Sequence, residues 1–180
     1  MCGIVGYNGN QQAAPILLKG LEKLEYRGYD SAGLAVRDGV SLAQVVKAKG
    51  RLSNLAEKTD EGKALKGFCG IGHTRWATHG EPSQINAHPH VSGNCNRSGS
   101  GLVESEVVGV HNGIIENYEE LKDHFGLADE LISDTDSEVV AAVLNRFYTG
   151  DPHEALFQTV KCLKGTFALV VIFDDIPDVI

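Results

Sequence analysis

Short runs of Val, Ile, Leu and Phe, bounded by glycine or charge, recur along the chain at residues 2–7, 32–36, 42–48, 68–74, 107–111 and 167–173. Runs of this length and composition predict six β-strands. Between them apolar positions return at helical spacing. Over residues 13–26, Ile16, Leu17, Leu21 and Leu24 share one face, and 117–125, 137–148 and 153–163 also read as helices. Ser133-Asp134-Thr135-Asp136 offers N-cap residue types ahead of the third helix, and Gly150-Asp151-Pro152 separates it from the fourth. The early strands follow one another through short loops while the helices cluster early and late. That grouping predicts an α+β fold with antiparallel sheets and not a doubly wound one. Residues 92–101 are small and polar, as expected of a surface loop.

A length of 180 residues suits a single core. Sixteen Lys and Arg against 24 Asp and Glu leave a net charge of −8, which offers no basic surface for a phosphate backbone, so nucleic acid is excluded as an expected partner. The longest apolar run, 167–173, is far shorter than the roughly 20 residues of a membrane-spanning helix, so no membrane partner is expected. The N-terminus carries no basic stretch and no long apolar segment, and a cytoplasmic location is expected. Cys2, Cys69, Cys95 and Cys162 are scattered with no CxxC pair, which speaks against a zinc ribbon or a disulfide framework. His73, His79, His88, His90 and His111 form no recognisable metal spacing, and no glycine-rich phosphate loop occurs. Neither metal nor cofactor is expected.

Cys2 is the first candidate for chemistry. Removal of Met1 would leave a thiol and a free α-amine on one residue, uniting nucleophile and base. The amine, with an ordinary pKa of about 7.7–8.0, can accept the thiol proton and return it to a leaving group near neutral pH. Taken alone, Cys2 reads equally as a small buried residue at a strand start. Other segments change the weighting: Tyr26-Arg27-Gly28-Tyr29-Asp30-Ser31-Ala32-Gly33, His73-Thr74-Arg75-Trp76-Ala77-Thr78-His79-Gly80 and His111-Asn112-Gly113.

Together with Cys2-Gly3-Ile4-Val5-Gly6, these segments resemble the glutamine-hydrolysing (glutaminase) domain of the glutamine–fructose-6-phosphate aminotransferases, or glucosamine-6-phosphate synthases, among the N-terminal-nucleophile amidotransferases. The resemblance covers nearly the whole chain. It implies a four-layer αββα sandwich of the N-terminal-nucleophile hydrolase type, in which Cys2 attacks the side-chain amide of L-glutamine, ammonia leaves and water hydrolyses the thioester. The side-chain amide of Asn112 and the backbone N–H of Gly113 are implied as the oxyanion hole, although Asn-Gly by itself is also a hairpin signal. Arg75 is implied at the substrate α-carboxylate, with Thr78 and His79 beside it, and Asp136 at the α-ammonium; Asp136 also reads as a helix N-cap. Trp76 is implied in a lid, where sequence alone would equally place it in the core, and Arg27 near the N-terminal amine.

Residues 1–180 read as one glutaminase domain, truncated at its C-terminal end, without the sugar-isomerase domains that take fructose 6-phosphate as ammonia acceptor. An uncovered apolar edge there would invite self-association. The sequence retains Met1, which blocks the amine while attached. Two classes of function stay open: a glutaminase active once Met1 is removed, and an inactive fragment or glutamine-binding module.

Overall fold

The computed structural model describes residues 2–77, 80–97 and 102–176. Seven strands and five helices follow in the order β1 (Gly3–Asn8), α1 (Ala13–Glu22), a 3-10 turn (Glu25–Arg27), β2 (Ser31–Arg37), β3 (Ala43–Lys49), α2 (Leu52–Lys58), β4 (Cys69–Arg75), β5 (His90–Arg97), β6 (Leu102–Ile115), α3 (Tyr118–Phe125), α4 (Asp136–Phe147), α5 (Pro152–Cys162) and β7 (Gly165–Phe173). All strand pairs are antiparallel, in the order β1-β4-β2-β3-β6-β5, with β7 also on β6.

The alternation of side chains along each strand builds the layers. Ala32, Leu34 and Val36 of β2 pack with Leu17, Leu21 and Leu55 of α1 and α2, while Ala35 faces the other way, into a core with Ile71, Val108 and Ile172. Strand β7 divides likewise: Val170 and Ile172 enter that inner core, and Phe167, Leu169, Val171 and Phe173 pack toward α3, α4 and α5. Two β layers therefore face each other between helical layers, the αββα order implied by the sequence. They are joined by hydrogen bonds: the start of β6 pairs with β3, from Ala43↔Ser105 to Val46↔Leu102, and its remainder pairs with β7, from Val107↔Phe173 to Ile115↔Gly165.

The structure departs from the predicted elements in four places, the first being β6, which was expected over 107–111 and runs over Leu102–Ile115. Residues 92–97, expected in a loop, belong to strand β5, which pairs with β6 across a register shift between Ser92 and Cys95. Its residues are polar because it is the outer strand of this order, and backbone pairing makes it a strand. The rest of that predicted loop lies outside the described residues. Helix α2 was not expected, since only Leu52 and Leu55 are buried along it. Helix α1 ends at Glu22, four residues early, where the chain tightens into the 3-10 turn.

Ile71 of β4 is fully buried between the two β layers. Ile71→Ala is expected to lower unfolding stability by about 2–5 kcal/mol, through lost burial and a residual cavity. The check is a urea unfolding midpoint that falls at unchanged slope.

Candidate active site

The β1–β4 ladder sets Gly3 opposite Thr74, which brings Cys2 level with the end of β4. There the Trp76 N–H donates to Cys2 Sγ at 3.4 Å, and Sγ lies 3.6 Å from the Trp76 carbonyl. From the facing layer, Asn112 of β6 donates its Nδ2 to the Cys2 carbonyl at 3.4 Å, while its Oδ1 is 2.8 Å from His73 Nε2. The next residue has to be glycine: Gly113 has φ +138°, and a Cβ would lie 1.8 Å from the Thr166 carbonyl of β7.

Cys2, Arg75, Trp76, Gly113 and Asp136 line one small cleft together with His88, His111, Thr135 and Ser137. Arg75 is only 4% exposed, and its Nη1 and Nη2 donate to the carbonyls of Glu81 (3.4 Å) and Gly80 (3.2 Å), which fixes the guanidinium plane. Burial lowers its pKa, and the carboxylates of Asp30 and Asp136 are among the groups that oppose that shift. Asp136 is the first residue of α4; Thr135, not Asp136, is the N-cap. The Asp136 carboxylate instead accepts the Ile115 N–H of β6 at 2.8 Å and the Ser137 hydroxyl at 3.3 Å. A buried anion and a buried cation thus share the cleft with the thiol.

Trp76 is 42% exposed and meets Tyr29 edge-on at 5.5 Å, so it is not a core residue. The residue after it is tied down by Asp30, whose Oδ2 accepts the Ala77 N–H at 2.8 Å and whose own N–H donates to the Arg75 carbonyl at 3.1 Å. Gly28 packs so closely on the Arg75–Trp76 peptide that a Cβ would lie 2.8 Å from the Arg75 carbonyl carbon. Arg27 lies in the 3-10 turn leading into Gly28 and is half-buried. Thr78 and His79 lie outside the described residues. The cleft holds about 30 Å³. A larger groove between α1 and α2, about 410 Å³, is lined by Lys19, Glu22, Glu25, Ser53 and Glu61, among others, and includes no cysteine.

Sequence reading missed the role of the buried histidines behind the cleft. The rings of His73 and His88 stack at 4.1 Å, and His90 meets His88 edge-on at 4.6 Å. His90 Nε2 bonds Thr135 Oγ1 at 3.0 Å, and His111 Nδ1 bonds Ser137 Oγ at 2.7 Å. Among the described residues no three His, Cys, Asp or Glu side chains are arranged to hold a metal ion. The only available signals were His73 at the head of one motif and Tyr29-Asp30 inside another; their partners depend on register, which no spacing shows.

Burial keeps these rings neutral. It lowers His73 to about 4 and His88 and His90 well below the usual value, and it lowers His111 against the pull of Asp136. A histidine with a depressed folded pKa binds its proton better when unfolded, so its stability contribution is present above 6.5 and is lost as pH falls, for His73 across the window from 6.5 to about 4. Stability is expected to fall as pH drops from 6.5 to 5, with His73 contributing at most about 1.4 kcal/mol per pH unit. Urea midpoints measured across this range check it; a flat profile would contradict it.

The sequence signature of a glutamine amidotransferase domain matches residues 99–179. The glutamine–fructose-6-phosphate aminotransferase (isomerizing) of Halalkalibacterium halodurans is 52% identical over 176 residues, covering 96% of this chain and 27% of the relative. That of Bacillus subtilis is 50% identical over 177 residues, covering 97% and 27%. The chain thus spans about a quarter of the length of these relatives. Among solved structures, the glutamine phosphoribosylpyrophosphate amidotransferase of B. subtilis, complexed with ADP and GMP, superposes with a TM-score of 0.76 at 24% identity, over 97% of this chain and 35% of that one; at this identity the likeness speaks for the fold alone. An allosteric regulatory enzyme of purine biosynthesis gives 0.74 at 26% identity, over 97% and 36%. Over residues 99–179 the chain carries a glutamine amidotransferase domain, and over nearly its whole length it is similar to the corresponding part of the glutamine–fructose-6-phosphate aminotransferases.

Proposed function

We propose that this chain hydrolyses L-glutamine to glutamate and ammonia, with Cys2 as nucleophile once Met1 is removed. The observation that carries the reading is the meeting of one thiol, one buried guanidinium and one buried carboxylate in a single cleft, with the Asn112 carboxamide reaching the backbone of the thiol residue.

The Cys2 thiol gives its proton to its own α-amine, and Sγ attacks the side-chain carbonyl carbon of glutamine. The carbonyl π electrons move onto oxygen. The oxyanion is received by Asn112 Nδ2 and the Gly113 N–H, each such donor lowering the barrier by about 3–4 kcal/mol. The ammonium returns its proton to the departing nitrogen, which leaves as ammonia, and a thioester remains. Water, its proton taken by the same amine, attacks the thioester; glutamate departs and the thiol is restored. Arg75 binds the α-carboxylate in a two-pronged pair, Asp136 receives the α-ammonium, and Thr78 and His79 complete the carboxylate end. Arg27 stands by the N-terminal amine.

The Trp76 segment opens to admit glutamine and closes to exclude water, which strengthens every charged contact inside. The ammonia serves the amination of fructose 6-phosphate in a sugar-isomerase part. This follows from the relatives' names and the resemblance of the motifs, and it requires a polypeptide beyond the residues described. Among the described residues β7 pairs only with β6, which supports a docking or self-association edge there.

Cys2→Ala is expected to abolish ammonia release while glutamine still binds within about threefold, because the charged ends of the substrate are held elsewhere; unchanged release in this variant would overturn the mechanism. Arg75→Lys is expected to weaken glutamine binding at least about tenfold, since an ammonium cannot copy the planar two-pronged contact. Calorimetric titration of both variants with glutamine gives the comparison, and equal affinity for Arg75→Lys would refute its role.

A further inference from the structure

Asn112 presents a side chain with two nearly isosteric ends, and only one of them suits an oxyanion. The Nδ2 end donates and stabilises negative charge; the Oδ1 end would repel it. A carboxamide on a strand end therefore needs something behind it that decides which end faces the cleft. In this chain that partner is His73, whose Nε2 lies 2.8 Å from Asn112 Oδ1 while Asn112 Nδ2 reaches the Cys2 carbonyl at 3.4 Å.

We propose that His73 is the positioning residue for the oxyanion donor of this amidotransferase. The inference rests on the glutaminase reading above and adds to it a group that never touches substrate. An amide oxygen carries no hydrogen, so the shared proton sits on His73 Nε2. The ring is fully buried and neutral, so a proton on Nε2 leaves Nδ1 bare. Only this tautomer holds the carboxamide with Nδ2 toward the thiol.

The ring has little freedom to turn. Strand β4 is flanked on both sides, with His73 opposite Ile4 of β1 and Gly33 of β2. The His88 ring lies on that of His73 at 4.1 Å with a tilt of 31°. His88 rests in turn on His90, and His90 is anchored through Thr135 ahead of α4. The stack links the donor-setting residue to the helix start that carries Asp136, so the oxyanion end and the ammonium end of the site share one rigid support.

The test compares two amide substitutions in the chain with Met1 removed. A glutamine at position 73 extends its Nε2 to about the place of the histidine Nε2, and an asparagine stops short. His73→Gln is expected to keep kcat for ammonia release within about fivefold. His73→Asn and His73→Phe are expected to lower kcat about 100-fold, the scale of losing one oxyanion donor, with KM changed less than about threefold. Adding either to Asn112→Ala is expected to cost nothing further, because His73 acts only through Asn112. The inference is overturned by full activity in His73→Asn, by equal impairment of the Gln and Asn variants, or by losses that multiply with Asn112→Ala. If His73→Phe fails to fold, the Gln and Asn pair decides alone. A wild-type chain that is folded, lacks Met1 and releases no ammonia would overturn the glutaminase reading itself, a result separate from any of these.

Discussion

The register between β1 and β4 is the constraint on which the site depends. Gly3 opposite Thr74 leaves Cys2 one step past the ladder, beside the Arg75–Trp76 peptide. A slip of one residue would turn every side chain of β1 to the opposite face and carry the thiol away from Asn112. The register holds because β4 is gripped from both sides, by β1 and by β2, and because the inner core around Ile71 fixes the face that β4 presents. Backbone pairing of β1 with β4 places Cys2, and the Trp76 N–H holds its sulfur.

The second β layer supplies what the first lacks. Strand β6 is long enough to pair with β3 at its start and with β7 further on, so it carries Asn112 and Gly113 across to the end of β4. The Asp136 carboxylate ties α4 to that strand through the Ile115 N–H, so one buried group anchors a helix and charges the cleft. Two opposite charges line the cleft beside the thiol, and in the proposed function they hold the two charged ends of glutamine, with burial strengthening each contact relative to water. The cost of that burial appears in the histidines behind them, all kept neutral by the same exclusion of water.

Buried strands were legible in the sequence because β2 and β4 are covered on both faces and read as continuous apolar or small runs. Strand β5 was not, because its strand character comes from pairing with β6 and not from its residues. Helix α2 buries two leucines in seven residues, too few to set a period. Cys2, Asn112, Gly113, Arg75 and Trp76 were named from motifs and Asp136 from the resemblance; five of them line one cleft, and Asn112 reaches the Cys2 carbonyl beside it. What the motifs could not show is how the parts hold one another. Asp30 clamps the Trp76 segment and His73 backs Asn112, and both relations exist only across strands. Asp136 looked like a cap from its position at a helix start, and its carboxylate is committed to β6 instead.

The central claim is that the α-amine of Cys2 is the base for its own thiol. Ammonia release from glutamine, measured side by side on the chain with Met1 removed and on the chain with Met1 kept, tests it most directly, with an intact mass confirming each terminus. Release is expected to be at least about 100-fold faster with Cys2 at the N-terminus, the scale of a lost general base. Equal rates from the two chains would contradict it and would require a base elsewhere in the cleft.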